Sequence, residues 1–224
     1  MKSFNTSAKL VVGSALLASA GLASAITVTN FSFEDAATAG GTPTAGNYRS
    51  LALGNIDMPG WAVISDSIAW IHGPISAGVG LLTAQQGTYF LDLTDTQFSS
   101  PFGGVSQSLT TVANTQYILK FWLGTSQFYN PTNGAASLVS VAGNDTTVSS
   151  TVTTSPNSWE EKTITFTALS SSTLLAFTGI AGKDYIGLDN ISVTAVPEPT
   201  SIAMLFAGLA AVGTVVARRR NQIS

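Results

Sequence analysis

Tyr117-Ile118-Leu119-Lys120-Phe121-Trp122-Leu123 is the stretch on which the fold turns. In an extended chain successive side chains point to opposite faces, so Tyr117, Leu119, Phe121 and Leu123 share one face and Ile118, Lys120 and Trp122 the other. Thr163-Ile164-Thr165-Phe166-Thr167 repeats the pattern, giving Ile164 and Phe166 to a core and three threonines to water, as in a half-exposed antiparallel strand. Further strands are expected at 26–33, 61–71, 87–93, 104–110, 136–142, 146–153, 173–180 and 185–194, bounded by Gly, Asn, Pro and Ser. No window between 26 and 196 keeps a helical period. The reading is all-β: a two-sheet antiparallel jelly-roll sandwich over 26–195, with an N-terminal signal peptide and a C-terminal transmembrane helix outside it.

Composition narrows the partners. Of 12 acids and 9 bases in 224 residues, the span 26–196 holds 11 acids but only Arg49, Lys120, Lys162 and Lys183, a net of 4 − 11 = −7. Nucleic acid and anionic membrane surfaces need clustered Lys and Arg, so neither is expected as the partner of this span. With no cysteine, disulfides and thiolate chemistry are excluded.

The termini read as addresses. Met1 to Ala25 has Lys2 and Lys9, an apolar run from Leu10 to Leu22 and the small-x-small exit Ala23-Ser24-Ala25, the layout of a secretory signal peptide, with signal peptidase and the secretion machinery as its partners. At the other end Ser201 to Ala217 is uncharged and apolar, and as a helix it spans about 26 Å, marginally enough for a membrane. Arg218, Arg219 and Arg220 follow and hold the C-terminus in the cytoplasm, with the body outside. Ahead of the span, Val196, Pro197, Glu198 and Pro199 form a segment whose prolines preclude a continuous helix or strand and leave it open to a protease.

That order over 196–224, V-P-E-P, then a short apolar span, then Arg-Arg-Arg, resembles a PEP-CTERM sorting tail, a class also grouped with C-terminal regions of ice-binding proteins. The resemblance implies processing by an exosortase, transient anchoring in the inner membrane, and delivery to the cell surface or an extracellular polysaccharide matrix of the biofilm kind.

Two strands share an irregularity. Ile26 and Val28 give way to Phe31 and Phe33, and Ile186 and Leu188 give way to Ile191 and Val193 across Asp189-Asn190, a change of parity that a bulge or bend explains. Glu34 and Asp189 stand beside these changes. Terminal strands of a sandwich commonly neighbour each other, so the two carboxylates are expected either to meet, with a cation such as calcium relieving their repulsion, or to serve simply as edge-strand acids. The pieces N-F-S-F-E (30–34), P-G-W (59–61), G-T-Y-F-L-D-L (87–93), G-G-V-S-Q-S-L (103–109), Y-I-L-K-F-W (117–122), W-E-E (159–161) and G-L-D-N-I-S-V (187–193) are similar in order to galactose-binding-like jelly rolls. That resemblance implies carbohydrate binding and a structural Ca2+ held by the early Glu and late Asp, here Glu34 and Asp189.

Catalysis finds little support. His72 is the sole histidine, there is no G-x-S-x-G elbow, Glu160 and Glu161 face opposite ways in a strand, and Asp92 with Asp95 is the one carboxylate pair spaced to cooperate. Gly40-Gly41 and Gly103-Gly104 lack the Lys of a phosphate loop. Glycan binding asks only for an aromatic platform with polar neighbours, and loop positions Tyr48, Gln127, Phe128, Tyr129 and Asn130 supply them, whereas Trp61 and Trp159 serve equally as plugs between sheets. The run T-T-V-S-S-T-V-T-T at 146–154 is a single strand without a repeat, which argues against an ice-binding solenoid. The expected function is therefore non-catalytic association with extracellular polysaccharide, with a purely structural envelope protein as the alternative and a glycan hydrolase as the distant one.

Overall fold

The computed structural model describes residues 25–36, 41–76, 81–95, 100–126, 135–150, 157–181, 185–197, 206–214 and 218. One compact unit comprises Ala23–Val196, and Pro197 onward belongs to a second. In the first the strands are β1 (Ala25–Ile26), β2 (Tyr48–Leu51), β3 (Ala62–Ile64), β4 (Ile68–His72), β5 (Ile75–Ser76), β6 (Leu81–Leu82), β7 (Tyr89–Asp92), β8 (Gly104–Thr110), β9 (Gln116–Ser126), β10 (Ala135–Val141), β11 (Asn144–Ser150), β12 (Asn157–Thr167), β13 (Ser172–Ala181) and β14 (Gly187–Ala195). A seven-stranded antiparallel sheet runs β12-β9-β14-β7-β4-β2, with β1 also on β14. A five-stranded one runs β11-β10-β13-β8-β3. The two pack as a sandwich.

Alternation dictates the packing. Leu119, Phe121 and Leu123 from β9, Ile164 and Phe166 from β12, and Leu175 and Phe177 from β13 meet between the sheets, and the Phe121 and Phe177 rings touch edge-on at 4.9 Å. β9 and β12 pair without a break from Ser126↔Asn157 to Gln116↔Thr167, as the period-2 pattern requires.

The N-terminal segment departs from expectation. Only Ala25 and Ile26 are strand; the chain then turns through Asn30 (φ 49) and Phe33 (φ 61). Phe31 and Phe33 do not share a face: Phe31 is 41% exposed and Phe33 fully buried. Side chains replace the missing ladder. Gln107 accepts from Thr29 N and donates to Thr29 O at 2.8 and 2.9 Å, imitating a strand partner, while the Trp61 and Trp70 indoles donate to the carbonyls of Asn30 and Phe33. These backbone groups are thereby satisfied without a strand partner. The expected strand 61–71 is likewise broken at Ser65 (φ 71), its halves β3 and β4 lying in different sheets. At β14 the expected bulge is present: the register with β9 shifts between Asp189 and Ser192, and Asn190 has φ 48.

In the second unit residues 206–214 form an exposed helix. At 1.5 Å per residue it spans roughly 14 Å, and no helix among the described residues is long and apolar enough to cross a membrane. The rest of the span expected over 201–217 lies outside the described residues, as do 1–24.

Candidate functional site

At its β4 and β7 strands the seven-stranded sheet is apolar on both faces. Leu91 and Trp70 point into the sandwich, while Phe90 of β7 and Ala69 and Ile71 of β4 point away from it and carry a second core with Leu82 and Tyr185. The hairpin of β5 and β6 supplies the cover, Ile75, Leu82 and Ala84 packing on this outer layer. Trp159 of β12 closes the layer, its ring edge-on to Phe90 at 5.8 Å and to Tyr185 at 6.1 Å, and its indole donates to Thr83 O at 3.0 Å.

Two carboxylates fasten the chain that leads from this cover into β7. Asp189 Oδ2 accepts from the N–H of Gln85 and Gln86 at 2.8 and 2.9 Å, and Glu34 Oε1 accepts from Thr88 and Tyr89 at 2.9 and 2.8 Å. Asn190 Nδ2 adds a bond to Gln85 Oε1 at 2.8 Å. Gly87 between the two clamps has φ +69, and a Cβ there would run into the Glu34 carboxyl. The acids from the first and last strand regions thus converge on one loop. Burial pushes Asp189 up to about 7 despite its backbone donors, and the charge of Glu34 adds to that rise.

Beneath the cover lies a third acid. Asp92 is buried, accepts from Thr94 N, Thr94 Oγ1 and Ile186 N, and is pushed up to about 6 chiefly by that burial. The Tyr185 hydroxyl lies over the floor made by Gly124 and Gly187, where a Cβ at Gly124 would stand 2.8 Å from it. It is buried without a hydrogen-bond partner among the described residues, and burial, then Asp92 and Asp189, raise its pKa well above that of a free phenol. Asp95 accepts a hydrogen bond from the Ser50 hydroxyl, and its charge adds the smallest of the pushes on Asp92.

Calcium takes six to eight oxygens, commonly including carboxylates and backbone carbonyls. Glu34 Oε2 accepts no hydrogen bond from a described residue, whereas both Asp189 oxygens already accept backbone N–H groups, Oδ1 from Asn190 and Oδ2 from Gln85 and Gln86. No group of three or more His, Cys, Asp or Glu side chains gathers there or elsewhere among the described residues, so the remaining oxygens would have to be carbonyls, amides or water.

The other expected residues are scattered. Tyr48 begins strand β2 rather than lying in a loop; it is 44% exposed and, as the partner of Ile71, stands on the outer side of the sheet. Gln127, Phe128, Tyr129 and Asn130 lie outside the described residues. So do Glu198, Pro199, Arg219 and Arg220, whereas Val196 donates to Gln116 O at 2.8 Å, Pro197 is exposed and Arg218 is helical. Trp61 and Trp70 are core, and the His72 ring packs against Tyr89 at 4.7 Å, tilted by 33°. Sequence reasoning named Asp92 only as a partner of Asp95 and passed over Tyr185; the signal for the burial of Asp92 was the apolar run around it, which marks a strand buried on both faces.

A family model described as a protein of unknown function, DUF642, matches residues 27–187, and a PEP-CTERM protein-sorting motif matches 195–220. No curated protein matches the chain significantly. Among solved structures, a family 35 carbohydrate binding module from Clostridium thermocellum is 13% identical with a TM-score of 0.42, over 65% of this chain and 97% of that one. The CBM22-1 xylan-binding domain of Paenibacillus barcinonensis Xyn10C is 16% identical with a TM-score of 0.43, over 70% and 99%. The isomalto-dextranase of Arthrobacter globiformis T6 is 10% identical with a TM-score of 0.44, over 69% of this chain and 24% of that one. TM-scores of this size do not establish a shared fold, and the sandwich rests on the strand pairing itself.

Proposed function

We infer the function from the premise that the chain belongs to the DUF642 family over 27–187 and carries a PEP-CTERM sorting motif over 195–220: an exported, exosortase-processed protein of the surface or matrix whose sandwich contacts polysaccharide without cleaving it. The observation that carries the reading is Tyr48, a large aromatic 44% exposed on the outer side of β2, with Asn47 and Ser50 beside it. A half-exposed ring among polar groups is the minimum a pyranose face requires. The body around it is acidic and poor in charge, which suits a neutral or hydroxyl-rich partner.

Calcium at Glu34 and Asp189 belongs to the same proposal as a structural ion, holding the cover of the outer layer by relieving the repulsion of the two acids. Its support is their convergence on residues 85–89.

Retention of the protein on its producer's exopolysaccharide, with released sugar measured in parallel, tests the function. Retention without release is expected, and Tyr48→Ala weakens it by roughly 1–3 kcal/mol if the ring is a stacking hot spot. Neither retention nor release points to a purely structural protein, and released sugar to a hydrolase.

A further inference from the structure

Among the described residues the sandwich has two long open edges, β11 in the five-stranded sheet and β12 in the seven-stranded one. An open edge presents unpaired N–H and C=O groups to any second strand, and natural proteins blunt such edges with charge, proline or brevity. β12 is blunted by Glu160, Glu161 and Lys162, with Lys162 paired to Glu160 at 2.6 Å and Lys120 to Glu161 at 3.2 Å. The remaining edges are short: β3 has 3 residues and β2 has 4. β11, Asn144-Asp145-Thr146-Thr147-Val148-Ser149-Ser150, has no Lys, Arg or Pro and is exposed over most of its length. Its one charge, Asp145, lies next to the turn.

Geometry fixes which groups of β11 are free. β10 and β11 are joined by the two-residue turn Ala142-Gly143, both at positive φ (52 and 76), the type I′ form of a tight hairpin. The flanking pair Val141↔Asn144 is then the hydrogen-bonded one, and so are Val139↔Thr146, Ser137↔Val148 and Ala135↔Ser150. Asp145, Thr147 and Ser149 therefore turn their N–H and C=O to the open edge, where they meet no backbone partner among the described residues.

We propose that β11 pairs antiparallel with β11 of a second copy of this chain, with Thr147 at the twofold axis, joining the five-stranded sheets of two molecules into one continuous sheet. In that register Thr147 exchanges both backbone bonds with Thr147 of the copy, and Asp145 and Ser149 exchange both with Ser149 and Asp145. All the free groups are used. Each Asp145 faces a serine hydroxyl, so no like charges oppose, whereas a parallel in-register pair would set Asp145 against Asp145. A twofold axis makes the contact isologous and closed, so the product is a dimer and not a fibre. Such a pair carries two glycan-contacting bodies.

The chain has no cysteine, so Thr147→Cys places one thiol per molecule on the axis. The full chain in detergent micelles, treated with a short thiol-to-thiol crosslinker, is expected to give a covalent dimer. Ser108→Cys, exposed on β8 of the same sheet, is expected to give little. Amide exchange of the unmodified chain is a second reading: Asp145, Thr147 and Ser149 gain protection as concentration rises, while Thr146 and Val148 are protected throughout. Thr147→Lys opposes two ammonium groups on the axis and is expected to abolish the concentration-dependent protection. Crosslinking at 147 no faster than at 108, free exchange at Asp145, Thr147 and Ser149 at every concentration, or a dimer indifferent to Thr147→Lys each overturns the proposal.

Discussion

The outer faces of the two sheets differ more than the sheets themselves. That of the seven-stranded sheet is roofed over β4 and β7: Ala69, Ile71, Phe90 and Tyr185 are buried under Leu82, with Asp92 and Asp189 buried beside them. That of the five-stranded sheet is bare among the described residues, with Ser108 and Thr110 of β8 open to solvent and Leu174 and Ile180 of β13 exposed at 60% and 41%. A roof removes water, and removing water raises the pKa of a carboxylate because its charged form loses solvation. The raised acids consequently sit on one outer face and not on the other. Chemistry that depends on a desolvated charge, whether cation binding or proton uptake, belongs to the seven-stranded side; the five-stranded side offers only surface and an edge.

If the roof is a true second core, truncating its centre is the most damaging change on either outer face. Phe90→Ala is expected to cost about 3–5 kcal/mol in denaturant unfolding, the range for a buried phenylalanine. A cost below about 1 kcal/mol would mean that the β5–β6 hairpin covers the face without packing on it.

This asymmetry was only half legible in the sequence. Alternation exposed β9 and β12, because one face of each is polar, and the parity change at Asp189-Asn190 exposed the bulge in β14. That Glu34 and Asp189 hold neighbouring backbone at 85–89 was to be expected only from terminal strands lying side by side, since the parity change read over 26–33 is a turn. The roof was hidden, because the continuous apolar runs Ile68-Ala69-Trp70-Ile71 and Phe90-Leu91 show that both faces are buried but not what buries them. β5 and β6, two residues each, are too short to carry a period. The turn at 27–33 was hidden for a different reason. Its bonds come from Gln107, Trp61 and Trp70, which lie far away in sequence, and a local pattern carries no trace of them.

The second way to test the comparison is titration together with calcium. Asp189 and Asp92 have folded pKa values near 7 and 6, above the ordinary 3.8. Between those limits the folded chain retains protons that the unfolded chain releases, so stability falls as pH rises from about 4 to 7. In chelator the melting temperature is therefore expected to drop over that window, and Asp189→Asn, which cannot ionise, should flatten the drop. Calcium acts on the ionised pair. At a hundredfold excess over Kd it contributes about 2.7 kcal/mol, several degrees for a domain of this size at about 2–4 °C per kcal/mol. That gain is expected at pH 8 and should shrink at pH 5, where Asp189 is protonated. Equal shifts in Asp189→Asn and the unaltered chain would remove calcium from this site, and a melting temperature that rises with pH in chelator would contradict the buried acids.

The smallest effect is expected on the bare face, and it is the one that decides whether the comparison holds in solution. Leu174 is the most exposed large apolar side chain of β13 and stands on the outer side of its sheet, while Leu175 next to it is fully buried. Solvent already wets Leu174 in the folded chain, so Leu174→Ser leaves the buried apolar area nearly unchanged. Stability should move by no more than about 0.5 kcal/mol, as for other surface positions. Pairing through β11 does not alter that expectation, since edge-to-edge addition extends a sheet in its own plane and leaves its faces open. A loss above about 1 kcal/mol that grows with protein concentration would mean that something covers this face as the hairpin covers the other. The sandwich would then be roofed on both sides, and the confinement of desolvated chemistry to the seven-stranded sheet would no longer follow from its architecture.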